Sequence, residues 1–288
     1  MQLYVSKSWI TDEFPDLRYF HPFTDFQKEN DINFSEIILQ TVHDSYIPRV
    51  KENQKKILYH FEPHYRTPYW WKDCDLVIST HTELDINGFK GKVLYYPFAF
   101  FYLNSHNYIP RLLSRPFQNI EFKHKKFCIF INSNQSAPER IDFCQRLMKY
   151  KHVDCAGGAL NNCERIKEPY YSKEFLEKIS EYKFMISFEN SNTKGYFTEK
   201  PINAYLGNTI PIYWCNSEAQ KYFNEKSMVL IPEYTESNIQ KALQKIIELD
   251  TNDELYKMTL KESLFVDNEI PKEFKLYYIK EAIREVLD

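Results

Sequence analysis

The sequence has few glycines and lacks several motifs that assign a chain to a class of enzyme. It contains 6 glycines in 288 residues, and none of them forms the glycine-rich loops of P-loop or dinucleotide-binding proteins. The motifs G-x-S-x-G and H-E-x-x-H, typical of serine hydrolases and zinc proteases, are absent. No apolar run approaches about 18 residues, and no basic segment followed by an apolar one opens the chain. The sequence therefore predicts neither a membrane span nor a signal peptide.

Charge and cysteine content exclude two further classes. The net charge is −3 and no block of basic residues occurs, so the electrostatic footprint of a nucleic-acid-binding protein is missing. The 6 cysteines form no C-x-x-C pair and no tight framework. We therefore expect reduced, buried thiols, as in cytoplasmic proteins.

What the sequence does contain is an alternation of short apolar runs with amphipathic segments. The first hundred residues include the strand-like runs QLYVS, EIILQ, KILYHFE, DLVIST and KVLYYPF. Residues 105–124 contain Pro110 and Pro116 and are predicted to be a linker. Because 288 residues exceed the usual size of one core, the pattern predicts an α/β fold with two doubly wound domains.

The alternation is most regular in the second half. The predicted strands there are KFCIFINSN, HVDCAGG, YKFMISFEN, TIPIYW and SMVLIP, and the predicted helices are PERIDFCQRLMKY, KEFLEKISE, TEKPINAYL, NSEAQKYF and two C-terminal helices. In TEKPINAYL we predict Thr198 as the N-cap, Pro201 within the first turn and Gly207-Asn208 as the stop.

Two cations in this half begin predicted helices, where the helix dipole disfavours positive charge. Lys200 follows the YKFMISFEN strand and Arg140 follows KFCIFINSN. Ligands of open α/β sheets bind beyond the carboxyl ends of the strands. We therefore predict that both side chains clamp one pyrophosphate, Arg140 as a planar fork and Lys200 as a point charge. A solvated surface lysine is the plainer interpretation of Lys200.

Polar residues beside Lys200 complete the candidate ligand site. Glu199 would be unfavourable next to a phosphate, so the hydroxyls of a ribose or sugar are its expected partners. Asn190 and Tyr196 add neutral donors.

The segment FENSNTKGYFTEK followed by PINAYLGNTIPIYW resembles the donor-binding signature of the α-1,3/4-fucosyltransferase family, and INSNQSAPER resembles its S-N-x-x-A-x-x-R segment. The resemblance is strong over residues 127–214 and weaker in the N-terminal half. It implies the GT-B architecture, two Rossmann-like domains facing a cleft, and an inverting transfer of fucose from GDP-fucose without a required cofactor. It further implies that Arg140 and Lys200 bind the pyrophosphate, Glu199 the sugar or ribose, and Asn190 and Tyr196 other parts of the donor.

The resemblance also implies a division of labour along the chain. Residues 1–110 would form an acceptor-binding domain, residues 111–274 a GDP-sugar-binding domain, and residues 275–288 a helix that packs back on the first domain. The implied acceptor is a hydroxyl of N-acetylglucosamine or glucose in a lactosamine-type glycan, as in bacterial Lewis antigens and lipopolysaccharide O-antigens. Two alternatives stay open: the same fold acting on another nucleotide sugar, and a non-catalytic glycan-binding module.

The chain departs from the family pattern at two places. Pro201 follows the Glu-Lys pair where a helix former is usual, which we expect to adjust the start of the helix without abolishing binding. The sequence also lacks the heptad repeats and basic amphipathic tail of some bacterial members, which argues against tethering through such a tail. We expect a cytoplasmic protein, and peripheral association with the inner face of the membrane is left open.

An inverting transfer needs a base that takes the proton of the acceptor hydroxyl. Our candidate is Glu62, which ends the strand KILYHFE and is followed directly by Pro63. By the resemblance, it aligns with the Glu that the family carries in an E-x-P or E-N-E context. A salt bridge to Arg66 is the plainer interpretation. The rival bases are Glu83, Asp85, His60, His64 and His81.

Aromatic residues after Glu62 could supply flat surfaces on which sugars stack. The residues predicted to bind the acceptor are Tyr69, Trp70, Trp71 and Glu83.

Asp73-Cys74-Asp75 has the D-x-D form with which many other glycosyltransferases hold Mn²⁺. The motif lies outside the donor-like half, where Arg140 and Lys200 already supply positive charge. We therefore predict no metal site, and stimulation by Mn²⁺ is left open.

Overall fold

The structure is a computed structural model that describes residues 1–6, 21–23, 25–41, 45–62, 69–82, 89–99, 109–113, 125–133, 137–170 and 172–287. The chain divides into two compact units. The N-terminal unit comprises residues 1–107, 193–195 and 270–288, and the C-terminal unit comprises residues 108–192 and 196–269.

The N-terminal unit contains one parallel sheet. Its strands are β1 (Gln2–Val5), β2 (Gln27–Glu29), β3 (Ile37–Thr41), β4 (Lys55–His60), β5 (Leu76–Ser79) and β6 (Lys92–Tyr95), in the order β2-β1-β3-β4-β5-β6. Each of the five apolar runs predicted here forms a strand. Strand β2 is not predicted from the sequence, because its residues QKE are polar and largely exposed and give no apolar signal.

The last helix of the chain, α8 (Leu276–Leu287), belongs to the N-terminal unit. It lies against the 3₁₀ turn His21–Phe23 and against β6, and it buries Ile279 and Ile283 on one face. On its other face Lys280 and Arg284 both pair with Asp25, at 2.7 and 3.0 Å. Two further 3₁₀ turns of this unit are Tyr69–Asp73 and Lys272–Phe274.

The C-terminal unit contains a second parallel sheet. Its strands are β7 (Lys126–Phe130), β8 (Val153–Cys155), β9 (Tyr182–Ile186), β10 (Ile210–Trp214) and β11 (Val229–Ile231), in the order β11-β10-β9-β7-β8. All five were predicted. The order reverses between β7 and β9, and such a switch point is where open α/β sheets bind ligands.

Seven helices of the C-terminal unit fall within the described residues. They are α1 (Ile109–Leu113), α2 (Pro138–Met148), α3 (Lys173–Ser180), α4 (Lys200–Leu206), α5 (Ala219–Tyr222), α6 (Glu236–Thr251) and α7 (Asp253–Lys261), with 3₁₀ turns at Glu225–Ser227 and Val266–Asn268. Helix α1 falls within the predicted linker. After β11 the chain forms α6, α7 and α8 where two helices were predicted, because the Asn252 side chain caps Leu255 N–H and starts a new helix directly after α6.

The core of the C-terminal unit is aromatic and rich in thiols. Phe184 lies in edge contact with Phe127 and Tyr256, and the Sγ atoms of Cys144 and Cys155 are 3.8 Å apart. Five of the six cysteines are buried, as expected, and Cys163 is half-buried.

A buried charge network fixes the amino end of β9. Lys183 Nζ donates to the carbonyl and carboxylate oxygens of Asp250, at 2.9 and 3.1 Å, and Lys151 and Tyr150 donate to the other carboxylate oxygen. Burial alone would raise the pKa of Asp250, but the hydrogen bonds from Lys151, Lys183 and Tyr150 hold it below its ordinary value. The carboxylate therefore stabilises the fold above the pKa of an unfolded Asp, and this contribution is lost as the pH falls below it.

We expect Asp250→Ala to lower the free energy of unfolding by about 3–5 kcal/mol at neutral pH, since Lys183 loses its buried carboxylate partner and keeps only the exposed one of Asp253, 3.9 Å away. Urea unfolding measures the change, and the difference from the unmodified protein should shrink below about pH 4. Glu177→Ala is the control, because Glu177 pairs with Lys173 on the surface and such pairs contribute about 0–1 kcal/mol. A loss at Asp250 no larger than at Glu177 would contradict the network's role.

Candidate active site

The carboxyl ends of β7 and β9 lie side by side at the switch point of the second sheet, where Phe130 pairs with Ile186. The chain continues from β7 to Asn132 and from β9 to the tripeptide Phe188–Asn190. Because β7 and β9 are parallel neighbours, both polar segments emerge at the same edge.

Arg140 in the first turn of α2 ties these two segments together. It is 2% exposed. Its Nε donates to Glu189 O at 3.0 Å, its Nη1 to Asn132 Oδ1 at 3.0 Å, and its Nη2 to Phe188 O at 2.7 Å and to Asn190 Oδ1. In the part of the chain that the structure describes, every oxygen bonded to Arg140 is therefore neutral.

This bonding limits the role predicted for Arg140. A guanidinium has five N–H donors, and four of them are already directed at the protein. One N–H of Nη1 is left for a ligand, so Arg140 offers its charge and a single bond and not the planar fork that the sequence predicts. Burial lowers the pKa of Arg140, but a guanidinium stays charged in proteins.

A second buried group, the carboxylate of Glu189, organises the loop before α4. Glu189 is 0% exposed. Its Oε1 accepts bonds from Thr198 N–H at 2.8 Å and from the Tyr213 hydroxyl at 2.9 Å, and its Oε2 accepts from the Thr198 hydroxyl at 2.7 Å and from Lys200 Nζ at 3.2 Å. The carboxylate thus fixes Lys200 directly and through Thr198.

Lys200 lies between two carboxylates. Its Nζ is 3.2 Å from Glu189 Oε2 and 3.6 Å from Glu199 Oε1, and its side chain is 23% exposed. Burial alone would lower the pKa of Lys200, but Glu189 and Glu199 raise it above its ordinary value. Lys200 is therefore protonated at neutral pH and is not the solvated surface lysine of the plainer interpretation.

The contacts of Thr198 correct the predicted start of α4. The helix begins at Lys200, with Glu199 at the N-cap position and no side-chain cap. The Thr198 hydroxyl does not cap the helix: it donates to Glu189 Oε2 and accepts from Lys200 Nζ at 2.8 Å. Pro201 lies in the first turn as predicted, and the predicted stop is confirmed, with Asn208 in the left-handed region at φ 53°.

The five residues predicted to bind the donor all lie in the C-terminal unit. Arg140 and Asn190 are bonded to each other, while Lys200 and Glu199 meet beside Glu189. Tyr196 is buried. Their binding of a donor stays a prediction.

Glu62, the predicted base, follows β4 at the carboxyl end of the first sheet and is half-buried. Its backbone carbonyl accepts a hydrogen bond from His81 Nε2 at 2.6 Å. The rings of His81 and His60 lie 4.7 Å apart, and both residues are buried. The other groups of this prediction, Arg66, His64, Glu83 and Asp85, lie outside the described residues.

Two of the aromatic residues predicted to bind the acceptor are buried and do not form an open surface on which a sugar could stack. Trp70 is 5% and Trp71 0% exposed, and both pack with Leu58, Cys74 and Val77 in the core of the N-terminal unit. Their rings therefore stabilise the fold, and acceptor binding is not part of the function proposed for them. The Tyr69 side chain lies outside what the structure describes.

Comparison with known proteins agrees with this arrangement. Residues 120–261 match the model of the C-terminal domain of glycosyltransferase family 10 (fucosyltransferase). This part of the chain, just under half of it, belongs to the family. An α-(1,3)-fucosyltransferase of Helicobacter pylori is 37% identical over 130 residues, 45% of this chain and 26% of that protein. R654 of Acanthamoeba polyphaga mimivirus, named provisionally as a fucosyltransferase, is 34% identical over 183 residues, 60% of this chain and 29% of that protein.

The fold of a solved α1,3-fucosyltransferase covers the whole chain. The crystal structure of an α1,3-fucosyltransferase superposes with a TM-score of 0.74 at 23% identity, over 100% of this chain and 90% of that one. The structure of an α1,3-fucosyltransferase with GDP-fucose gives a TM-score of 0.73. The predicted α/β fold of GT-B type is thereby confirmed. The chain spans less than a third of the length of the two curated relatives named above.

Two residues of this site were missed from sequence. Glu189 lies within the quoted FENS signature, and Asn132 lies in INSN, but only Asn190 was singled out. A Glu that closely follows a predicted buried strand is itself a signal, since a buried carboxylate needs charged or hydrogen-bonding partners.

The D-x-D carboxylates are bonded within the protein. Asp75 Oδ2 accepts from Arg49 Nη2 and from Lys56 N–H, each at 2.7 Å, and Asp73 Oδ2 accepts from the Tyr46 hydroxyl at 2.8 Å. Across the described ranges, no three His, Cys, Asp or Glu side chains are grouped as metal ligands, and no helix is long and apolar enough to cross a bilayer.

Proposed function

We propose that this family 10 chain is an inverting fucosyltransferase. It transfers L-fucose from GDP-fucose to a hydroxyl of N-acetylglucosamine or glucose in a lactosamine-type glycan, through an α-1,3 or α-1,4 linkage. Family membership and the names of relatives, which include an α-(1,3)-fucosyltransferase, support the reaction.

The observation that carries the proposal is the meeting of two cations at one residue. Arg140 Nε binds the carbonyl of Glu189 at 3.0 Å, and Lys200 Nζ binds its carboxylate at 3.2 Å. Both charges are held in place before a ligand arrives, as electrostatic stabilisation of a leaving group requires. A hydrogen bond to a charged group contributes about 1.5–3 kcal/mol, so two of them support both binding and departure of a diphosphate.

The proposed reaction proceeds as a single displacement. The acceptor oxygen forms a bond to the anomeric carbon of fucose while the bond from that carbon to the diphosphate oxygen breaks, through an oxocarbenium-like state. Glu62 takes the proton of the acceptor hydroxyl. Arg140 and Lys200 stabilise the negative charge that develops on GDP, which leaves with the bonding electrons.

Calorimetry with GDP and with UDP tests the nucleotide. We expect the full chain to bind GDP at least about tenfold more tightly than UDP, because a GDP-sugar enzyme reads the base, and each tenfold step corresponds to about 1.4 kcal/mol. Binding of a glycan without any binding of GDP would favour the non-catalytic module.

Product analysis tests the transfer itself. Incubation with GDP-fucose and N-acetyllactosamine should give a fucosylated trisaccharide whose linkage NMR assigns as α-1,3 or α-1,4. A panel of other nucleotide sugars is the control. Transfer from one of those, and not from GDP-fucose, would reject the proposed donor in favour of the first alternative.

The class of acceptor glycan and the cellular location of the protein are also part of the proposal. We place the acceptor among the Lewis-antigen and O-antigen glycans of bacteria, and the protein in the cytoplasm or at the inner face of the membrane. The resemblance to the α-1,3/4-fucosyltransferase family supports the acceptor class. Transfer to lactosamine-type chains but not to unrelated glycans would support it further.

A further inference from the structure

We infer that Glu189 is a positioning residue: its buried carboxylate fixes Lys200 and the residues before α4 in a binding-ready arrangement. The inference rests on the proposed binding of GDP. It assigns no contact with the ligand to Glu189, which acts through Lys200.

The geometry explains why Glu189 itself does not bind a ligand. A carboxylate accepts about four hydrogen bonds, and Glu189 already accepts four, two on each oxygen. The side chain is fully buried. Its one charged partner in the described chain, Lys200, is partly exposed. The buried carboxylate therefore holds a side chain that can contact a diphosphate.

The backbone of Glu189 has separate partners. Its N–H donates to Trp214 O at 3.0 Å, and its carbonyl accepts from Arg140 Nε at 3.0 Å. A change of the side chain leaves these backbone groups in place. Substitutions at Glu189 therefore test the carboxylate and leave the acceptor of Arg140 unchanged.

The carboxylate also affects the proton on Lys200. The charged and titratable groups that act on Lys200 are Glu189, Glu199, Arg140 and Tyr170, and those that act on Glu189 further include Tyr213 and Cys215. Burial and Arg140 lower the pKa of Lys200, and the two carboxylates raise it. Without the charge of Glu189, only Glu199 would oppose burial, so Lys200 would lose its proton at a lower pH.

The experiment compares Glu189→Gln with the unmodified full chain by GDP calorimetry from about pH 6 to about pH 9. The amide of Gln has the same shape as the carboxylate of Glu189 but no charge. Its NH₂ group cannot accept a hydrogen bond from the donors that bond to Oε1 or Oε2 of Glu189. We expect GDP to bind about tenfold more weakly near neutral pH. The decline in affinity with rising pH should begin at a lower pH than in the unmodified protein.

Tyr213→Phe is the matched control, because it removes one bond to Oε1 and leaves the carboxylate charge. A merely structural role for Glu189 predicts that both variants lower the melting temperature while the pH profile of GDP binding stays in place. We expect the profile to move only in Glu189→Gln. Equal profiles in the two variants, or GDP binding by Glu189→Gln within about twofold of the unmodified chain at every pH, would overturn the inference.

Two further measurements keep the inference separable from the proposed function. If Glu189→Gln does not fold, Glu189→Asp replaces it: the shorter side chain keeps the charge but draws it away from Lys200, and unchanged GDP affinity would reject positioning. If the unmodified chain does not bind GDP, the proposed function fails. NMR of ¹³C-labelled lysine then still decides the inference, since Lys200 should titrate at a lower pH in Glu189→Gln.

Discussion

Glu62→Ala is expected to lower the turnover of fucose transfer about 10²–10⁴-fold, the contribution typical of a general base, while GDP affinity stays unchanged. The substitution removes the carboxylate but keeps the backbone carbonyl that accepts from His81 Nε2. The fold around β4 should therefore persist. Initial rates with saturating GDP-fucose and acceptor give the turnover, and calorimetry gives the affinity.

Glu52→Ala, which removes a Glu from an exposed position before β4, serves as the control for the loss of one negative charge. Near-normal turnover in Glu62→Ala would reject the assignment of the base. The rivals Glu83 and His81 would then be the next variants to measure.

Arg140→Ala and Lys200→Ala should both weaken GDP binding by about 10–100-fold, since each removes a charged donor worth about 1.5–3 kcal/mol. Both substitutions should also destabilise the protein. Removal of Arg140 leaves the acceptors on Asn132, Phe188 and Glu189 buried without that donor, and a buried unsatisfied group costs about 1–3 kcal/mol. Removal of Lys200 leaves the buried Glu189 carboxylate with three donors but without its charged partner, and an uncompensated buried charge is also costly.

Calorimetry with GDP and urea unfolding separate the two effects. Lys226→Ala removes the same charge from an exposed position and should change neither quantity. Full GDP affinity in either site variant would contradict the proposed pyrophosphate contacts. A stability of Arg140→Ala equal to that of Lys226→Ala would contradict the structural role of Arg140.

The strands could be predicted from the sequence because of where they lie. Parallel strands covered on both faces become continuous apolar runs, as β9 and β10 show with all their residues buried. The edge strand β2 has no such cover, and its residues are polar. Its pairing with β1 depends on backbone bonds, which leave no trace in the choice of side chains.

The start of α4 could not be predicted from local rules. Thr198 has the side chain of an N-cap residue, but a carboxylate nine residues earlier accepts both its N–H and its hydroxyl. Similarly, the sequence shows two adjacent aromatic residues, Trp70 and Trp71. It does not show that a helical turn directs their side chains into the core. In both cases tertiary contacts decide the outcome.

Within the site, the two cations could be predicted but not their surroundings. Arg140 and Lys200 stand out because cations in the first turn of a helix oppose its dipole. Two of the four acceptors of Arg140 are backbone carbonyls, which any residue type would supply. Only the structure therefore shows that most N–H donors of Arg140 already form hydrogen bonds within the protein.

The hydrogen bonds of Arg140 bear on the end of each proposed catalytic cycle. In the described chain neutral oxygens accept all of them, while the Glu189 and Glu199 carboxylates act on the guanidinium without a hydrogen bond to it. Under the proposed function, the charge of Arg140 attracts the product GDP as well as the donor, and GDP must leave before the next sugar can enter. We therefore expect GDP to compete with GDP-fucose for the site.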